Sequence, residues 1–265
     1  MITSHKNETV RKLVALREKP RERKSQGVFI TEGLKMLLEA PVESVREVYF
    51  SESFEKEHAD TAVRYLNGNI TGDVLSDDVF KKVSDTVTPQ GVLCVIRKKD
   101  YCLNDMLPGT EDKNPFLLLL ERTQDPGNLG TMIRTAEAMG VTGIIAGEGT
   151  ADVTNPKVIR STMGSIYRMP YLTTGDFGSI VTELKRRGIL TLAAALDASD
   201  ELTDTDLKGP VAFLIGNESS GLSNEAMRAA QKKIKIPMEG RTESLNAAVA
   251  AAVCMFETLR QRRSS

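Results

Sequence analysis

The side chains available for chemistry in this sequence are mostly neutral and polar. With His5 and His58 as the only histidines, a His-rich metal site or a Ser-His-Asp triad is not expected. Cys94, Cys102 and Cys254 are an odd number without metal-ligand spacing and read as reduced thiols. What remains are short polar stretches rich in Gly, Asn and Ser: 121–128, 216–223 and 237–246. Glycines such as Gly127, Gly130, Gly216 and Gly221 permit close backbone approach, and backbone N–H and C=O groups can grip a flat polar ligand such as an adenine. Asn246 stands among small and apolar neighbours with donors and an acceptor that need partners if buried. Arg134 falls off the apolar stripe of its helix, which fits either a solvated arginine or a functional one. No G-x-G-x-x-G follows an early strand and no G-x-x-x-x-G-K-[ST] occurs, which argues against a dinucleotide fold or a P-loop.

The elements that must position these stretches are apolar strands. Residues 116–120 and 211–215 are continuous apolar runs, as in strands buried on both faces. A further strand is expected from Ile234, stopped by Pro237. The turn 121–128 leads into a helix from 129 to about 139 that buries Leu129, Met132, Ile133, Ala136 and Gly140. Strands at 143–146 and 189–194 and helices near 155–163 and 177–187 complete a mainly parallel α/β sheet. Ser244 is the expected N-cap of a last helix reaching about Arg262, with Leu245, Val249, Ala252, Phe256 and Leu259 as its apolar stripe. Ligands of open α/β sheets bind beyond the carboxyl ends of the strands, and the loops after Leu120, Ile215 and Ile236 all fall there.

The first half reads as a smaller α/β layer. A helix from Lys6 to about Glu18 should end at Pro20, followed by strands at 27–31, 45–50, 69–74 and 92–96 and helices at 32–39, 55–66 and 76–83. Residues 97–114, polar and containing Pro108-Gly109, read as a linker between a domain 1–96 and a domain 115–265. The chain has 265 residues, 40% of them hydrophobic, with no apolar run of membrane-spanning length. Its charged beginning shows no signal peptide, so a cytoplasmic protein is expected. Net charge is −1, yet Lys6, Arg11, Lys12, Arg17, Lys19, Arg21, Arg23 and Lys24 crowd the start. Such an arm can neutralise phosphates or form a solvated face with Glu–Lys pairs.

Three segments together carry a resemblance. Asp125-Pro126-Gly127-Asn128-Leu129-Gly130-Thr131-Met132-Ile133-Arg134-Thr135-Ala136, Gly216 to Ser223, and Ile236-Pro237-Met238 through Ser244-Leu245-Asn246 resemble, in order and spacing, motifs 1, 2 and 3 of the SpoU (TrmH-like) RNA 2′-O-ribose methyltransferases. Phe29-Ile30-Thr31-Glu32-Gly33 and Pro89-Gln90-Gly91-Val92 are similar to that family's ribosomal-protein-like RNA-binding domain. The resemblance implies a SPOUT domain with a deep trefoil knot, preceded by a small α/β RNA-binding domain. It also implies S-adenosyl-L-methionine as cofactor, RNA, with ribosomal RNA ahead of transfer RNA, as substrate, and a homodimer through the C-terminal domain. By the same resemblance Gly216, Glu218, Ile236, Met238, Leu245 and Ala247 hold the cofactor, and Asn128, Arg134, Glu218, Ser244 and Asn246 form the polar active site. No metal is implied. Ser219 and Ala247 depart from the family pattern, where glycine and valine are common. A catalytically silent RNA-binding protein of the same fold is the competing expectation, although a pure binder has no need of Asn128, Arg134, Glu218 and Asn246 together. The small residues Ala247, Ala248, Ala250, Ala251 and Ala252 would let the last helix approach a partner or a neighbour within its own domain.

Overall fold

The computed structural model describes residues 1–66, 70–108 and 114–264. Two compact units emerge: Met1–Lys99 with Asp152–Tyr167, and Asp100–Ala151 with Arg168–Ser265. The first contains α1 (Glu8–Glu18), α2 (Pro20–Gln26), β1 (Val28–Glu32), α3 (Leu34–Glu39), β2 (Val45–Ser51), α4 (Glu52–Glu57), α5 (Ala59–Leu66), β3 (Thr71–Leu75), α6 (Asp77–Val83) and β4 (Val92–Arg97). Its sheet has the order β1-β4-β2-β3 and is mixed, with β4 antiparallel to both neighbours and β2 parallel to β3. Pro20 ends α1 as expected and also begins a second helix. Lys19, placed before a proline, leaves the helical region (φ −109°, ψ 109°), and the proline ring then suits the first position of α2. The single helix expected over 55–66 is two, because Ser51 Oγ accepts from Phe54 N (3.1 Å) to start α4 early and His58 breaks the run. Asn69 of the expected strand 69–74 lies outside the described residues.

The second unit is built on seven parallel strands in the order β7-β6-β5-β10-β8-β11-β9. In chain order the remaining elements are β5 (Phe116–Leu120), α7 (Pro126–Ala138), β6 (Gly143–Gly147), α8 (Pro156–Thr162), β7 (Tyr171–Thr174), α9 (Phe177–Arg186), β8 (Leu190–Ala194), β9 (Asp200–Glu201), β10 (Val211–Ile215), α10 (Asn224–Ala229), β11 (Lys232–Lys235) and α11 (Ala247–Arg263). The central strands β5 and β10 are buried along their whole length, as their apolar runs require. Helix α7 starts three residues earlier than expected, since Asp125 Oδ1 caps Asn128 N (2.7 Å) with Pro126 next in line. Gly140 lies beyond its end and is exposed. The expected linker contains a 3-10 turn, Leu103–Met106, whose Met106 is buried, while residues 109–113 lie outside the described set.

Helix α8 groups with the first unit, although its sequence lies between β6 and β7. Part of the reason is Arg23, only 1% exposed, in the stretch that reads from sequence as a basic arm, either phosphate-neutralising or solvated. Its guanidinium donates to Leu16 O and Arg17 O (both 2.9 Å), to Thr154 Oγ1 (3.0 Å) and to Asp152 Oδ2 (2.6 Å). Lys12 and Arg17 are also engaged, with Glu47 and with Lys82 O, Ser84 O and Glu18. Lys6, Arg11, Lys19, Arg21 and Lys24 remain exposed.

Among the described residues no helix is long and apolar enough to cross a membrane, and the three cysteines are free thiols. Burial pushes the Cys94 and Cys254 thiols up to about 12, whereas Cys102 is exposed. Iodoacetamide at neutral pH is therefore expected to modify Cys102 alone in the folded protein, as peptide mass spectrometry would show. Rapid labelling of Cys254 would contradict the packing of α11.

Candidate active site

Beyond the carboxyl ends of β8, β10 and β11 lies a cavity of about 220 Å³. Its walls are Ala194–Leu196, the loop from Gly216 to Ser219 with Gly221, residues 234–236 with Met238, and Ser244, Leu245, Ala247 and Ala250. Gly216, Glu218, Ile236, Met238, Leu245 and Ala247 all belong to this lining, as does Ser244. The loop after β10 closes on itself through Asn217 N to Gly221 O (3.1 Å) and Gly221 N to Asn217 O (2.9 Å). Asn217 Oδ1 accepts from Ser219 N (2.9 Å) and Ser220 N (3.1 Å), and its amide donates to Arg122 O (2.8 Å). Asn217 is thus the organiser of the loop, a role read from the structure rather than from its place in the motif.

A Cβ at Gly216 would overlap the backbone of Gly221 and Leu222. No side chain can yield there. Gly216→Ala is expected to cost about 1–3 kcal/mol by overpacking and to displace the cavity wall. Thermal unfolding and calorimetric titration with S-adenosylmethionine check this, and wild-type affinity in the variant would contradict it.

Three loops meet at the cavity's edge. Asn246 Nδ2 donates to Asn128 Oδ1 (3.1 Å), and Asn128 Nδ2 donates to Glu218 Oε1 (3.0 Å). Gln124 N adds a longer bond to Glu218 Oε2 (3.4 Å). Asn246 Oδ1 in turn accepts from Ala248 N (2.9 Å) and Val249 N (3.3 Å), so Asn246, not Ser244, is the N-cap of α11. The reason is geometric, because Ser244 lies three residues ahead of the first helical residue. Both ends of the Asn128 and Asn246 amides are engaged, which fixes their orientation and ties motif 1 to motifs 2 and 3.

Arg134 is not drawn into this network. It is exposed, its guanidinium makes no hydrogen bond or ion pair among the described residues, and it sits about 120° around α7 from Asn128. The apolar stripe expected for α11 is also misplaced. Its buried face carries Ala247, Ala248, Ala251, Cys254, Met255 and Thr258, while Val249 and Phe256 are 48% and 56% exposed. Alanines let α11 lie close to α7 and β10, which turns the larger side chains outward. Together with Thr131 and Met139 of the α7 region, which sequence reasoning missed, they line an open depression of about 500 Å³ that also reaches Asn128 and Asn246.

The same segments match known proteins. Residues 115–256 match the model of the SpoU rRNA Methylase family. The chain belongs to that family. Residues 7–94 match the MRM3-like substrate binding domain. A 23S rRNA (guanosine(2553)-2′-O)-methyltransferase, RlmP of Bacillus subtilis, is 33% identical over 96% of this chain and 97% of its own. A 23S rRNA (guanosine-2′-O-)-methyltransferase, RlmB of Shewanella oneidensis, is 29% identical over 91% of this chain and 100% of its own. Among solved structures, the SpoU methyltransferase AviRb from Streptomyces viridochromogenes in complex with the cofactor AdoMet superposes with a TM-score of 0.87 at 28% identity, covering 98% of this chain and 100% of that one. Family membership thus agrees with the motif resemblance in both halves of the chain.

Proposed function

We infer that this chain is an S-adenosylmethionine-dependent RNA 2′-O-ribose methyltransferase acting on ribosomal RNA, and that the 220 Å³ cavity holds the cofactor. The observation that carries the reading is the Asn246–Asn128–Glu218 chain of hydrogen bonds at the cavity's edge. The lining fits the cofactor: Ile236, Leu245 and Met238 offer apolar surface for an adenine, Gly216 allows close backbone approach, and the Glu218 carboxylate suits a sulfonium charge. When bound, S-adenosylmethionine supplies an electrophilic methyl group. The chain's own residues then orient the ribose for attack on that methyl group, and the 2′-hydroxyl proton passes to solvent water. Asn128 and Asn246 hold Glu218 and the loop ends in place, and Ser244 faces the same space. A guanidinium offers donors and no acceptor, so the Arg134 fork serves a flanking phosphate and the developing alkoxide rather than acting as a base. Calorimetric titration with S-adenosylmethionine tests the reading against a silent RNA-binding protein, for which no heat of binding at millimolar cofactor is expected.

The same reading includes the deep trefoil knot of its family and a homodimer. Val249 and Phe256 support the dimer, being large apolar side chains left exposed on α11 beside Asn128 and Asn246. A two-fold dimer on this face would bring surface residues of α7, Arg134 among them, toward the partner. Sedimentation at micromolar concentration should give a dimer that Phe256→Lys converts to monomer, and a wild-type monomer would contradict it. The first unit serves as the RNA-binding domain, with Lys6, Arg11, Lys19, Arg21 and Lys24 as the exposed cations of its N-terminal arm. Deleting residues 1–100 would also strip the packing of 152–167, so replacing these five cations by Gln is the cleaner test. The salt dependence of RNA binding should flatten by roughly 0.7–0.9 for each phosphate that is no longer neutralised. An unchanged slope would remove the basic arm from the interface.

A further inference from the structure

The first unit contains a cavity of about 320 Å³ that the methyl-transfer site does not use. The buried side chains of Ile30, Met36 and Ile159 contribute apolar surface to it, and Met163, 41% exposed, lines it too. Ile30 belongs to β1 and Met36 to α3, but Ile159 and Met163 come from the segment that Arg23 clamps to this unit. The cavity therefore exists only because residues 152–167 pack here. Met163 is also one of two non-glycine residues at positive φ (50°) among those described, in the left-handed conformation of the C-cap that ends α8.

We propose that this cavity takes one unstacked base of the RNA substrate. The inference rests on the RNA-methyltransferase reading and adds a subsite to it. Aliphatic and thioether surfaces offer contact to base faces, and sulfur makes favourable contacts with aromatic rings. The Thr88 hydroxyl and the Gln90 carboxamide line the cavity and make no hydrogen bond among the described residues. An amide carries donors and an acceptor, so Gln90 can pair with a base edge. Beside Thr88, Val87 is 99% exposed, an apolar side chain left in solvent next to the cavity. Lys35 and Arg160 supply cations for the flanking phosphates. Among the described residues their ion pairs are surface ones, to Glu39 (3.6 Å) and Asp85 (2.8 Å), and such pairs are weak enough to exchange partners. Glu32, the one carboxylate in the lining, already accepts from Ser84 Oγ, Asp85 N and Thr86 Oγ1.

The test uses the full chain and 23S rRNA transcripts carrying 4-thiouridine. Photocrosslinks are expected in peptides spanning 84–91 or 156–163. Thr88→Trp, which fills the cavity from its exposed edge, should abolish them and weaken RNA binding about tenfold without changing the salt slope. Gln90→Ala should weaken binding in the same way, while S-adenosylmethionine affinity stays constant in both. Crosslinks confined to other peptides, with RNA affinity unchanged in both variants, would overturn the subsite while wild-type methylation left the enzyme reading intact. Failure of the wild type to bind or methylate any rRNA would sink that reading and the subsite with it.

Discussion

Replacing Arg134 by alanine is expected to lower turnover by roughly 10²–10³-fold, the range for loss of one preorganised transition-state donor. The structure makes this a clean experiment. Arg134 is exposed and has no partner among the described residues, and the buried face of α7 is carried by Leu129, Met132, Ile133 and Ala136. Stability should therefore change by less than about 0.5 kcal/mol. Cofactor affinity should hold within a few-fold, because Arg134 does not line the 220 Å³ cavity. Arg134→Lys separates charge from geometry. A lysine keeps the charge but loses the planar fork, so a large residual defect would identify two-point recognition of phosphate or alkoxide. Full activity of the alanine variant on its RNA would leave Arg134 a solvated arginine.

The largest stability effect is expected at Arg23. Arg23→Ala should cost about 3–5 kcal/mol, since it leaves the Asp152 carboxylate and two carbonyls without their buried partner. Arg23→Met, of similar length and without charge, should cost less, because it fills the space without the desolvation of a guanidinium. Burial pushes the Asp152 carboxyl up, but hydrogen bonds from Thr154 and Arg23 outweigh it, and the net direction is down. A depressed carboxyl contributes stability above its unfolded value near 3.9, and that contribution is lost as pH falls through the lower folded value. Urea unfolding from pH 7 to 3 should thus show the gap between wild type and Arg23→Ala narrowing only below about pH 4. A constant gap would mean that Asp152 does not titrate with the clamp.

Local pattern was enough for the parts that are locally determined. Phe116–Leu120 and Val211–Ile215 are unbroken apolar runs, and they became the two adjacent central strands with the bounds expected. Edge strands such as Tyr171–Thr174 and Asp200–Glu201 were illegible because they are short and partly polar, held by neighbours rather than by their own hydrophobicity. Helix α11 was legible as a helix but not in its orientation. In an alanine-rich segment the larger residues look like the core, yet here small residues face inward so that two elements can approach closely. Arg23 shows the same limit for charge, since nothing near it in sequence announces Asp152 and Thr154, 129 and 131 residues away. At the site, the residues that the motif resemblance assigned to the cofactor all fall in the cavity's lining. What the resemblance could not show was the direction of each side chain: Asn246 turned back to cap its helix, Asn217 turned in to hold its loop, and Arg134 turned out to solvent.

The central claim is methyl transfer to a ribose hydroxyl of ribosomal RNA, and it is tested most directly by incubating the protein with isotopically labelled S-adenosylmethionine and total RNA from cells lacking its gene. Label is expected in ribosomal RNA, recovered after nuclease digestion as a single 2′-O-methylated nucleoside, and reduced roughly 10²–10³-fold when Arg134→Ala replaces the wild type for the same time. Label on a base, label in transfer RNA alone, or no transfer by a protein that binds S-adenosylmethionine would contradict it.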